Sequence, residues 1–385
     1  MKTRKKILFI LHSASRNGAS ILLLHFLKWF KTNTDIPFEI LVKNVSKGNR
    51  DLISEFKKLA PYGLKGKILS WIGSYNTTKQ IYRGFFKEKL RRKDIGLIYI
   101  NSVASGDVLA TLSHYECPVI AHVHENEYSL HFFLQSNLRY IQKHASHYIA
   151  VSGTTRNTLT DTYGISDKEI DTVHGFLPLS NGDSVPTKEA ALNIRKELDI
   201  PSDALVVGAS GSIADHKGSD LFVQLAYRIS QVKGCDIPYF IWVGKCLRED
   251  YFNSLQHDIK KTGLKKHVFF IGQKSNPLDY FNIFDIFASV SRADSYPLSV
   301  LEAASLGKPI VCFAGSGGSV EFVNEDCGFV VPYLDVDKMA AKVLELLTNK
   351  ELRAYLGERA QKKALQENDV KIAAPKILNV IKRFL

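Results

Sequence analysis

Residues 291–307 read Ser-Arg-Ala-Asp-Ser-Tyr-Pro-Leu-Ser-Val-Leu-Glu-Ala-Ala-Ser-Leu-Gly, and this stretch holds the clearest structural signals in the chain. The apolar run Asp285–Val290 precedes it and predicts a buried strand. Pro297 suits the first turn of a helix, because its missing N–H would have no partner there. We therefore predict a helix from Leu298 to Leu306, ended by Gly307.

The same stretch places two acids around a helix start. Asp294 falls in the predicted strand-to-helix turn, and Glu302 falls in the helix among apolar neighbours, where a carboxylate is rarely buried without a partner. The free amides of a helix start form an anion site. Two acids and an anion site in one strand–helix unit suit a polar ligand that carries phosphate. The alternative is that the acids cap the helix or face solvent.

Length and composition indicate a folded chain of two domains. The 385 residues correspond to two domains at about 150 residues each, and 45% hydrophobic with 23% charged residues excludes a disordered chain. The five cysteines show neither metal-ligand spacing nor a disulfide framework, which fits a reducing compartment. No apolar run approaches the length of a membrane span, and the basic amino end followed by Ile7–Leu11 predicts a strand rather than a signal peptide. We expect a cytoplasmic protein.

The positive charge lies in the first half. The net charge is +12, and residues 1–175 hold 25 Lys and Arg against 14 Asp and Glu. Such a surplus indicates an acidic partner: anionic lipid, a phosphorylated substrate or nucleic acid. Lys79–Lys93 predicts a basic helix that would lie on an anionic membrane surface, or else a solvated helix with its apolar side on the core. Peripheral association with the inner face of the cell membrane follows from the first interpretation.

Strand and helix patterns alternate twice along the chain. In the first half, short apolar runs predict strands at Ile7–His12, Phe38–Val42, Gly96–Asn101, Pro118–Val123 and Tyr148–Val151. Helical patterns alternate with the last three of these strands, at Gly106–His114, Leu130–His144 and Thr154–Tyr163. Alternation of this kind predicts an α/β fold of two Rossmann-like, doubly wound domains. The predicted bounds are 1–175 plus a returning terminal helix at about 367–385 for the first domain, 176–187 for a linker rich in Pro, Gly and Ser, and 188–366 for the second.

Two histidines follow a predicted strand in Ala121-His-Val-His-Glu-Asn-Glu127. If the strand continues, His122 and His124 point to opposite sides. We then expect His122 to be structural and His124 to face a ligand beyond the carboxyl end of the sheet. A two-histidine metal site is an alternative, although the spacing does not specify one.

These residues resemble glycosyltransferase family 4, which has the GT-B fold. The family has an acid followed, after seven residues, by a Glu within a Leu-Glu-Ala helix, and Asp294 and Glu302 match this pattern. The family also has a Lys-Gly pair, which Lys217-Gly218 matches. The family's usual Arg is Ser212 here, and the residues considered as replacements are Arg292, His216 and Lys245. Further matches are the turn Gly315–Gly318 with Glu321, the segment Cys327–Pro332, the glycine turn Asn17–Ser20, and the single residues His124 and Ser152.

The resemblance implies a retaining, metal-independent transfer of a sugar from a nucleotide-sugar to a hydroxyl of a glycan or lipid-linked, anionic acceptor. It implies a donor-binding second domain that faces an acceptor-binding first domain across a cleft. The residues it assigns to catalysis are His124, Lys217, Asp294 and Glu302. Those it assigns to the donor are Gly18, Ser212, Lys217, Gly272, Asp294, Ser295, Tyr296, Pro297, Leu298, Glu302, Gly317, Gly318 and Glu321. No cofactor and no metal are expected.

Two other functions compete with sugar transfer. A nucleotide-sugar epimerase or a phosphorylase would use the same fold and would release a sugar unattached to an acceptor. A basic nucleic-acid-binding protein would explain the charge, but the sequence has no helix-turn-helix, zinc-finger or RNA-binding signature. We therefore expect no nucleic-acid partner.

Overall fold

The computed structural model describes residues 5–44, 52–59, 94–112, 115–179, 186–234, 236–324 and 326–385. The chain forms two compact units, unit 1 (Met1–Phe176 with Val370–Leu385) and unit 2 (Leu177–Asp369). The predicted basic helix Lys79–Lys93 lies outside the described residues. Which substrate each unit binds stays a prediction.

Unit 1 contains a parallel sheet. Its strands in the described residues are β1 (Lys6–Ser13), β2 (Phe38–Asn44), β3 (Ile95–Asn101), β4 (Val119–Val123), β5 (His147–Ala150) and β6 (Ile170–Thr172). They pair in the order β2-β1-β3-β4-β5-β6. β3, β4 and β5 are buried along their whole length, because helices cover both faces of a doubly wound sheet.

The helices of unit 1 connect these strands. In the described residues they are α1 (Gly18–Asn33), α2 (Ile53–Leu59), α3 (Leu109–Leu112), α4 (Glu127–Phe132), α5 (Gln135–His144) and α6 (Gly153–Asn157), with 3-10 turns at Val103–Val108 and Asp167–Glu169 and a π turn at Thr158–Thr162.

The prediction of one helix over Leu130–His144 is wrong, because the structure has two helices in this region. The chain leaves helical geometry at Phe133 and Leu134, between α4 and α5. The start of α5 lies so close to the 3-10 turn that a Cβ on Gly106 would be 2.2 Å from the carbonyl oxygen of Asn137. Packing against Gly106 therefore sets the direction of α5. The helix predicted over Gly106–His114 is likewise a 3-10 turn followed by the short α3.

Unit 2 repeats the architecture. Its strands in the described residues are β7 (Val206–Ser210), β8 (Tyr239–Val243), β9 (Val268–Phe270), β10 (Ile286–Ser289), β11 (Ile310–Phe313) and β12 (Gly328–Val331). They pair in parallel in the order β12-β11-β10-β7-β8-β9. A buried cluster that includes Phe222, Trp242 and Val311 packs helices against this sheet.

The helices of unit 2 are α7 (Lys188–Glu197), α8 (Ser219–Ser230), α9 (Glu249–Lys261), α10 (Pro277–Asn282), α11 (Leu298–Ser305), α12 (Gly318–Val323), α13 (Val336–Thr348) and α14 (Lys350–Glu367) in the described residues. The last helix, α15 (Val370–Phe384), belongs to unit 1 and packs against α1. Within the ranges described here, none of the helices is both long and apolar enough to cross a bilayer.

Candidate functional site

In unit 2 the predicted donor residues gather where neighbouring strands end. β11, β10, β7 and β8 are consecutive in the sheet, and all are parallel. Their carboxyl ends, and the turns that follow them, therefore meet at one edge, where ligands of open α/β sheets bind. Hydrogen bonds join these turns: the Ile213 amide donates to the Lys245 carbonyl (2.8 Å) and the Asp294 amide to the Ser316 carbonyl (2.8 Å).

Lys217 is brought to this edge by the glycine that follows it. Gly218 has φ +72° and packs against the end of β10, so closely that a Cβ would lie 2.0 Å from the Val290 carbonyl oxygen. Only glycine fits this contact without strain. The turn after β7 is thus held against the turn after β10, and the Lys217 ammonium forms an ion pair with the Asp294 carboxylate. Both side chains are largely buried, with 23% and 14% exposed.

Asp294 is also fixed through its backbone. Its carbonyl accepts a hydrogen bond from the Gly318 amide (3.1 Å), and a Cβ on Gly317 would lie 1.9 Å from that carbonyl oxygen. Gly317 has φ +106°, a conformation that side chains rarely adopt. The Gly318 amide therefore holds Asp294 in place, and the contact of Gly318 with the donor stays a prediction.

Helix α11 begins at Leu298, and Pro297 precedes it as the N-cap residue. The predicted helix start at Leu298 is confirmed, and Pro297 lies just before the first turn rather than within it. The amides of Leu298 and Ser299 have no acceptor among the described residues. Such amides carry partial positive charge at a helix start and can bind an anion.

Among the residues that the structure describes, none places a cation or a hydrogen-bond donor against the Glu302 carboxyl. Its side chain is half-buried, and within the described part of the chain its carboxyl group has no partner. Burial raises the pKa of Glu302 from 4.5 to about 7. An unpartnered carboxyl held at this pKa is costly for the free protein and is typical of a group that binds a ligand.

The remaining residues of this stretch hold its shape. The Tyr296 hydroxyl accepts a hydrogen bond from the Asn368 side chain (3.1 Å), which anchors the turn before α11. Burial raises the pKa of Tyr296, and the charge of nearby Glu321 adds to the rise. Ser295 is buried, and its carbonyl would lie 2.4 Å from a Cβ on Gly318.

Ser212 stands where the family usually has Arg, and the structure distinguishes the three residues that were considered as replacements for that cation. Arg292 donates two hydrogen bonds to the Asp220 carboxylate (2.8 and 2.7 Å), so it is committed to a structural pair. Burial, and then the charge of Lys217, lower the pKa of His216, so it is not a cation at neutral pH. Lys245 is exposed and, among the described residues, its ammonium has no partner.

Gly272 lies one strand further along the sheet. It has φ +72°, and its carbonyl accepts a hydrogen bond from the Gly244 amide (3.0 Å). It thus stands beside the turn after β8, next to the other predicted donor residues of unit 2. That role stays a prediction.

In unit 1 a buried asparagine joins three strand ends. The Asn101 side chain, at the end of β3, donates to the Ala19 carbonyl at the start of α1 (3.0 Å). Its oxygen lies 3.0 Å from His124 Nε2, in the turn after β4. Because a carbonyl only accepts, the Asn101 amide nitrogen must face Ala19 and its oxygen must face His124. His124 Nε2 therefore carries the proton, and Nδ1 is left as an acceptor.

Burial lowers the pKa of His124 to about 3, so the ring is neutral at physiological pH. Nδ1 makes no hydrogen bond within the residues that the structure describes, which leaves it available to a ligand hydroxyl. His122 and His124 were expected to point apart only if the strand continued through both, and it does not. β4 ends at Val123, and the two ring centroids lie 4.1 Å apart. His122 is held by the Tyr99 hydroxyl (2.7 Å), in the structural role expected for it.

Glu125 has a structural role that the sequence analysis missed. Its carboxyl accepts hydrogen bonds from the Ser102 hydroxyl and from the amides of Val103, Ala104 and His124. It therefore holds the turns after β3 and β4 together. The role of Asn101 was missed as well. The signal for it was a single amide side chain at the end of an apolar run, because an amide can both donate and accept a hydrogen bond.

Two further predicted residues lie at helix starts in unit 1. Gly18 is exposed in the first turn of α1, after the N-cap Asn17, whose side chain accepts from the Ser20 amide (2.9 Å). The Ser152 hydroxyl accepts from the Thr155 amide (3.0 Å) and caps α6. In the described ranges the structure shows no group of three or more His, Cys, Asp and Glu side chains arranged to hold a metal ion.

Comparisons with known proteins identify the family of this chain. A family model described as glycosyl transferases group 1 matches residues 191–363, and one described as glycosyltransferase family 4 matches residues 68–181. The O-antigen biosynthesis glycosyltransferase WclY of Escherichia coli is 27% identical over 161 residues, 39% of this chain and 42% of that protein. The poly(ribitol-phosphate) alpha-N-acetylglucosaminyltransferase of Staphylococcus aureus is 24% identical over 176 residues, 46% of this chain and 35% of that protein.

Solved structures match over nearly the whole chain. The Anabaena protein HepE, in complex with UDP and glucose, has a TM-score of 0.81 at 19% identity and covers 99% of this chain and 100% of its own. Staphylococcus aureus TarM has a TM-score of 0.69 at 15% identity and covers 97% of this chain and 99% of its own. At these identities the likeness concerns the fold. The two family models together match more than half of the sequence, and the protein therefore belongs to glycosyltransferase family 4, with the GT-B fold.

Proposed function

We propose that this protein is a retaining, metal-independent glycosyltransferase that moves a sugar from a nucleotide-sugar to a hydroxyl of a glycan or lipid-linked acceptor. The observation that carries the proposal is the ion pair of Lys217 and Asp294 at the approach to α11, together with the unpartnered carboxyl of Glu302 in that helix.

The ion pair matches the covalent structure of a nucleotide-sugar. Its sugar and its β-phosphate share one oxygen, so a group that binds the phosphate and a group that binds the sugar hydroxyls must be neighbours. Lys217 and Asp294 are in contact, although 77 residues separate them in sequence. When the diphosphate leaves, the bonding electrons remain on the β-phosphate. Lys217 and the free amides of Leu298 and Ser299 would stabilise that charge without a metal.

Glu302 suits the ribose of the donor. An ionised carboxylate can accept hydrogen bonds from two hydroxyls at once, and the two neighbouring hydroxyls of ribose can donate them. With a pKa of about 7, Glu302 is ionised in only part of the molecules at neutral pH, and a bound ribose would favour the ionised form. The donor thus supplies the partners that the free protein lacks.

His124 suits a hydroxyl of the sugar or of the acceptor. Its Nδ1 is an acceptor held in one orientation by Asn101, and its low pKa keeps it neutral. The neighbouring Glu125 is already engaged by a hydroxyl and three amides, so we assign it no covalent step.

The relatives and the charge distribution indicate the substrate class. The Anabaena protein of the same fold binds UDP and glucose, and the Escherichia coli relative acts in O-antigen biosynthesis. We infer a nucleotide-sugar donor and a surface-glycan acceptor. Because residues 1–175 carry 25 Lys and Arg against 14 Asp and Glu, we infer that the acceptor is anionic and is met at the inner face of the cell membrane.

Donor binding is tested by thermal shift against UDP, GDP, ADP, CMP and their common sugar conjugates, since a ligand of the folded state raises the melting temperature. At least one compound should stabilise the wild type, and Lys217→Ala and Glu302→Ala should abolish that shift. Lys342→Ala is the matched control, because Lys342 forms an exposed ion pair with Glu345 in the same unit. No shift with any compound, or full shifts in both variants, would contradict the proposal.

Transfer is tested with the donor so identified and a set of short oligosaccharides. The expected product carries the sugar in the donor's anomeric configuration, seen by proton NMR, and its yield should not change in EDTA. A free isomerised sugar would instead identify an epimerase. Loss of transfer in EDTA with recovery on adding a divalent cation would contradict metal independence.

A further inference from the structure

A contiguous aromatic surface lies directly after the turn that carries His124. Phe132 and Phe133 are 64% and 68% exposed, and Tyr128 is 45% exposed. The Tyr128 ring centroid lies 5.0 Å from that of Phe132 and 5.7 Å from that of Phe133. Single exposed apolar residues are normal, but aromatic rings in mutual contact form a patch, and exposed patches mark interaction sites.

The patch is presented on ordered structure. The Asn126 side chain caps α4 by accepting from the Ser129 amide (2.8 Å), and Leu130 anchors the helix in the core. The break between α4 and α5 leaves Phe133 at the end of α4 and outside the buried face of either helix. The backbone of α4 and of the break after it therefore keeps the three aromatic rings exposed to solvent.

Basic side chains accompany the aromatic rings. Helix α5 continues from the patch and exposes Arg139, Tyr140 and Lys143 on the face opposite its buried Leu138 and Ile141. No acidic residue occurs between Glu127 and Asp161. Glu127 is exposed at the start of α4, but the segment that follows it presents aromatic rings and cations without another carboxylate. Such a segment is complementary to an anionic bilayer, where aromatic rings lie at the headgroup level and cations pair with lipid phosphates.

We propose that Tyr128, Phe132 and Phe133, with Arg139 and Lys143, form a surface that binds the protein to an anionic lipid bilayer. The surface begins four residues after His124, so bilayer contact would bring a lipid-linked acceptor to the turn with the free Nδ1. Because Arg139 and Lys143 accompany the rings, the surface favours lipid phosphates over a neutral glycan as its partner. The inference deepens the proposed function by naming the acceptor's carrier, but bilayer binding itself does not require transfer.

The test is flotation of the full chain with vesicles of phosphatidylcholine alone and of phosphatidylcholine with 30% phosphatidylglycerol, without nucleotide-sugar. The wild type should partition to the anionic vesicles at least 10-fold better. Phe132→Ser with Phe133→Ser should weaken partitioning about 100-fold, at roughly 10-fold for each ring removed from the interface. Arg139→Gln with Lys143→Gln should weaken it about 25-fold at low salt and much less in 0.5 M salt, where charges are screened.

The matched control is Leu192→Ser with Leu247→Ser, since these residues of unit 2 are 62% and 56% exposed but carry no aromatic patch. Its partitioning should equal that of the wild type. Each variant is first shown to keep the wild-type melting temperature, as expected for exposed side chains.

Three results would overturn the inference. The first is a wild type that does not float with anionic vesicles. The second is a phenylalanine variant that floats as the wild type does while its transfer to a soluble oligosaccharide falls, which would identify a glycan site. The third is a phenylalanine variant that floats as the wild type does but changes from dimer to monomer in light scattering, which would identify a contact between copies. Because flotation uses no donor, a failure of sugar transfer alone would leave this result standing.

Discussion

The most specific prediction concerns Glu302, because replacing its carboxyl should stabilise the folded protein and weaken donor binding. The substitution Glu302→Gln keeps the size and shape of the side chain but removes its titration. Burial raises the pKa of this carboxyl from 4.5 to about 7, and no described residue compensates its charge. The folded protein therefore binds a proton more tightly at this site than the unfolded chain does.

The sign and size of the effect follow from linkage. A carboxyl whose pKa is raised on folding contributes stability in acid and loses it as the pH rises from about 4.5 through about 7. One pKa unit corresponds to about 1.4 kcal/mol, so the raised pKa lowers the stability of the folded state, relative to its value in acid, by about 2 kcal/mol at pH 6 and about 3 kcal/mol at pH 8. Glu302→Gln should have the wild-type free energy of unfolding at pH 4 and exceed it by these amounts at pH 6 and pH 8.

Urea denaturation of both proteins between pH 4 and pH 8.5 measures the difference, and a thermal-shift titration with the donor measures binding in parallel. Glu345→Gln is the control, since that side chain is 43% exposed and its substitution should change stability by less than about 0.5 kcal/mol at every pH. The variant should be more stable but bind the donor at least about 10-fold more weakly, since it loses a charged acceptor. A difference in stability that does not change with pH, or a variant less stable at pH 8, would refute the reasoning.

Three further predictions concern the other fixed groups. Lys217→Met should lower transfer by about 100-fold or more by removing the charge that meets the β-phosphate, whereas Lys217→Arg should retain more activity; equal rates in steady-state assays would contradict this role. Asn101→Asp should place a carboxylate beside His124 and raise its pKa from about 3, so that transfer falls with acid in a range where the wild-type profile is flat; unchanged pH–rate profiles would count against it. Gly317→Ala should destabilise the protein by about 2 kcal/mol or more, because its Cβ would lie 1.9 Å from the Asp294 carbonyl oxygen, and a wild-type melting temperature would show that the turn can relax.

The parts of the site that lie close in sequence were predictable. Residues 291–307 show a strand end, a turn acid, a helix start and a second acid in order, and each signal is local. The doubly wound fold also follows from local patterns, since fully buried parallel strands appear as apolar runs. Helix ends were predicted less accurately than helix positions. Pro297 is an example, because proline suits both the N-cap position and the first helical turn.

The contact between Lys217 and Asp294 could not be derived from sequence. It depends on β7 and β10 being neighbours in the sheet, while β8 and β9 lie between them in the chain. Strand order is set by how the whole sheet packs. The same limit explains His122 and His124, whose relative direction depends on β4 ending at Val123. It explains Phe133 as well, since close packing at Gly106 redirects α5.

The candidate groups of unit 1 and those of unit 2 are prepared in opposite ways, and the difference fits what each would bind. In unit 1, His124 is neutral, with its free Nδ1 oriented by Asn101, so a hydroxyl can bind without displacing any group. In unit 2, Lys217 and Asp294 neutralise each other, while Glu302 is left without a partner. A donor that carries a diphosphate, sugar hydroxyls and a ribose satisfies all three groups of unit 2 at once. A fragment that supplies only one of these groups must break the ion pair or leave the acid buried, so unit 2 should favour the intact nucleotide-sugar over its separate parts.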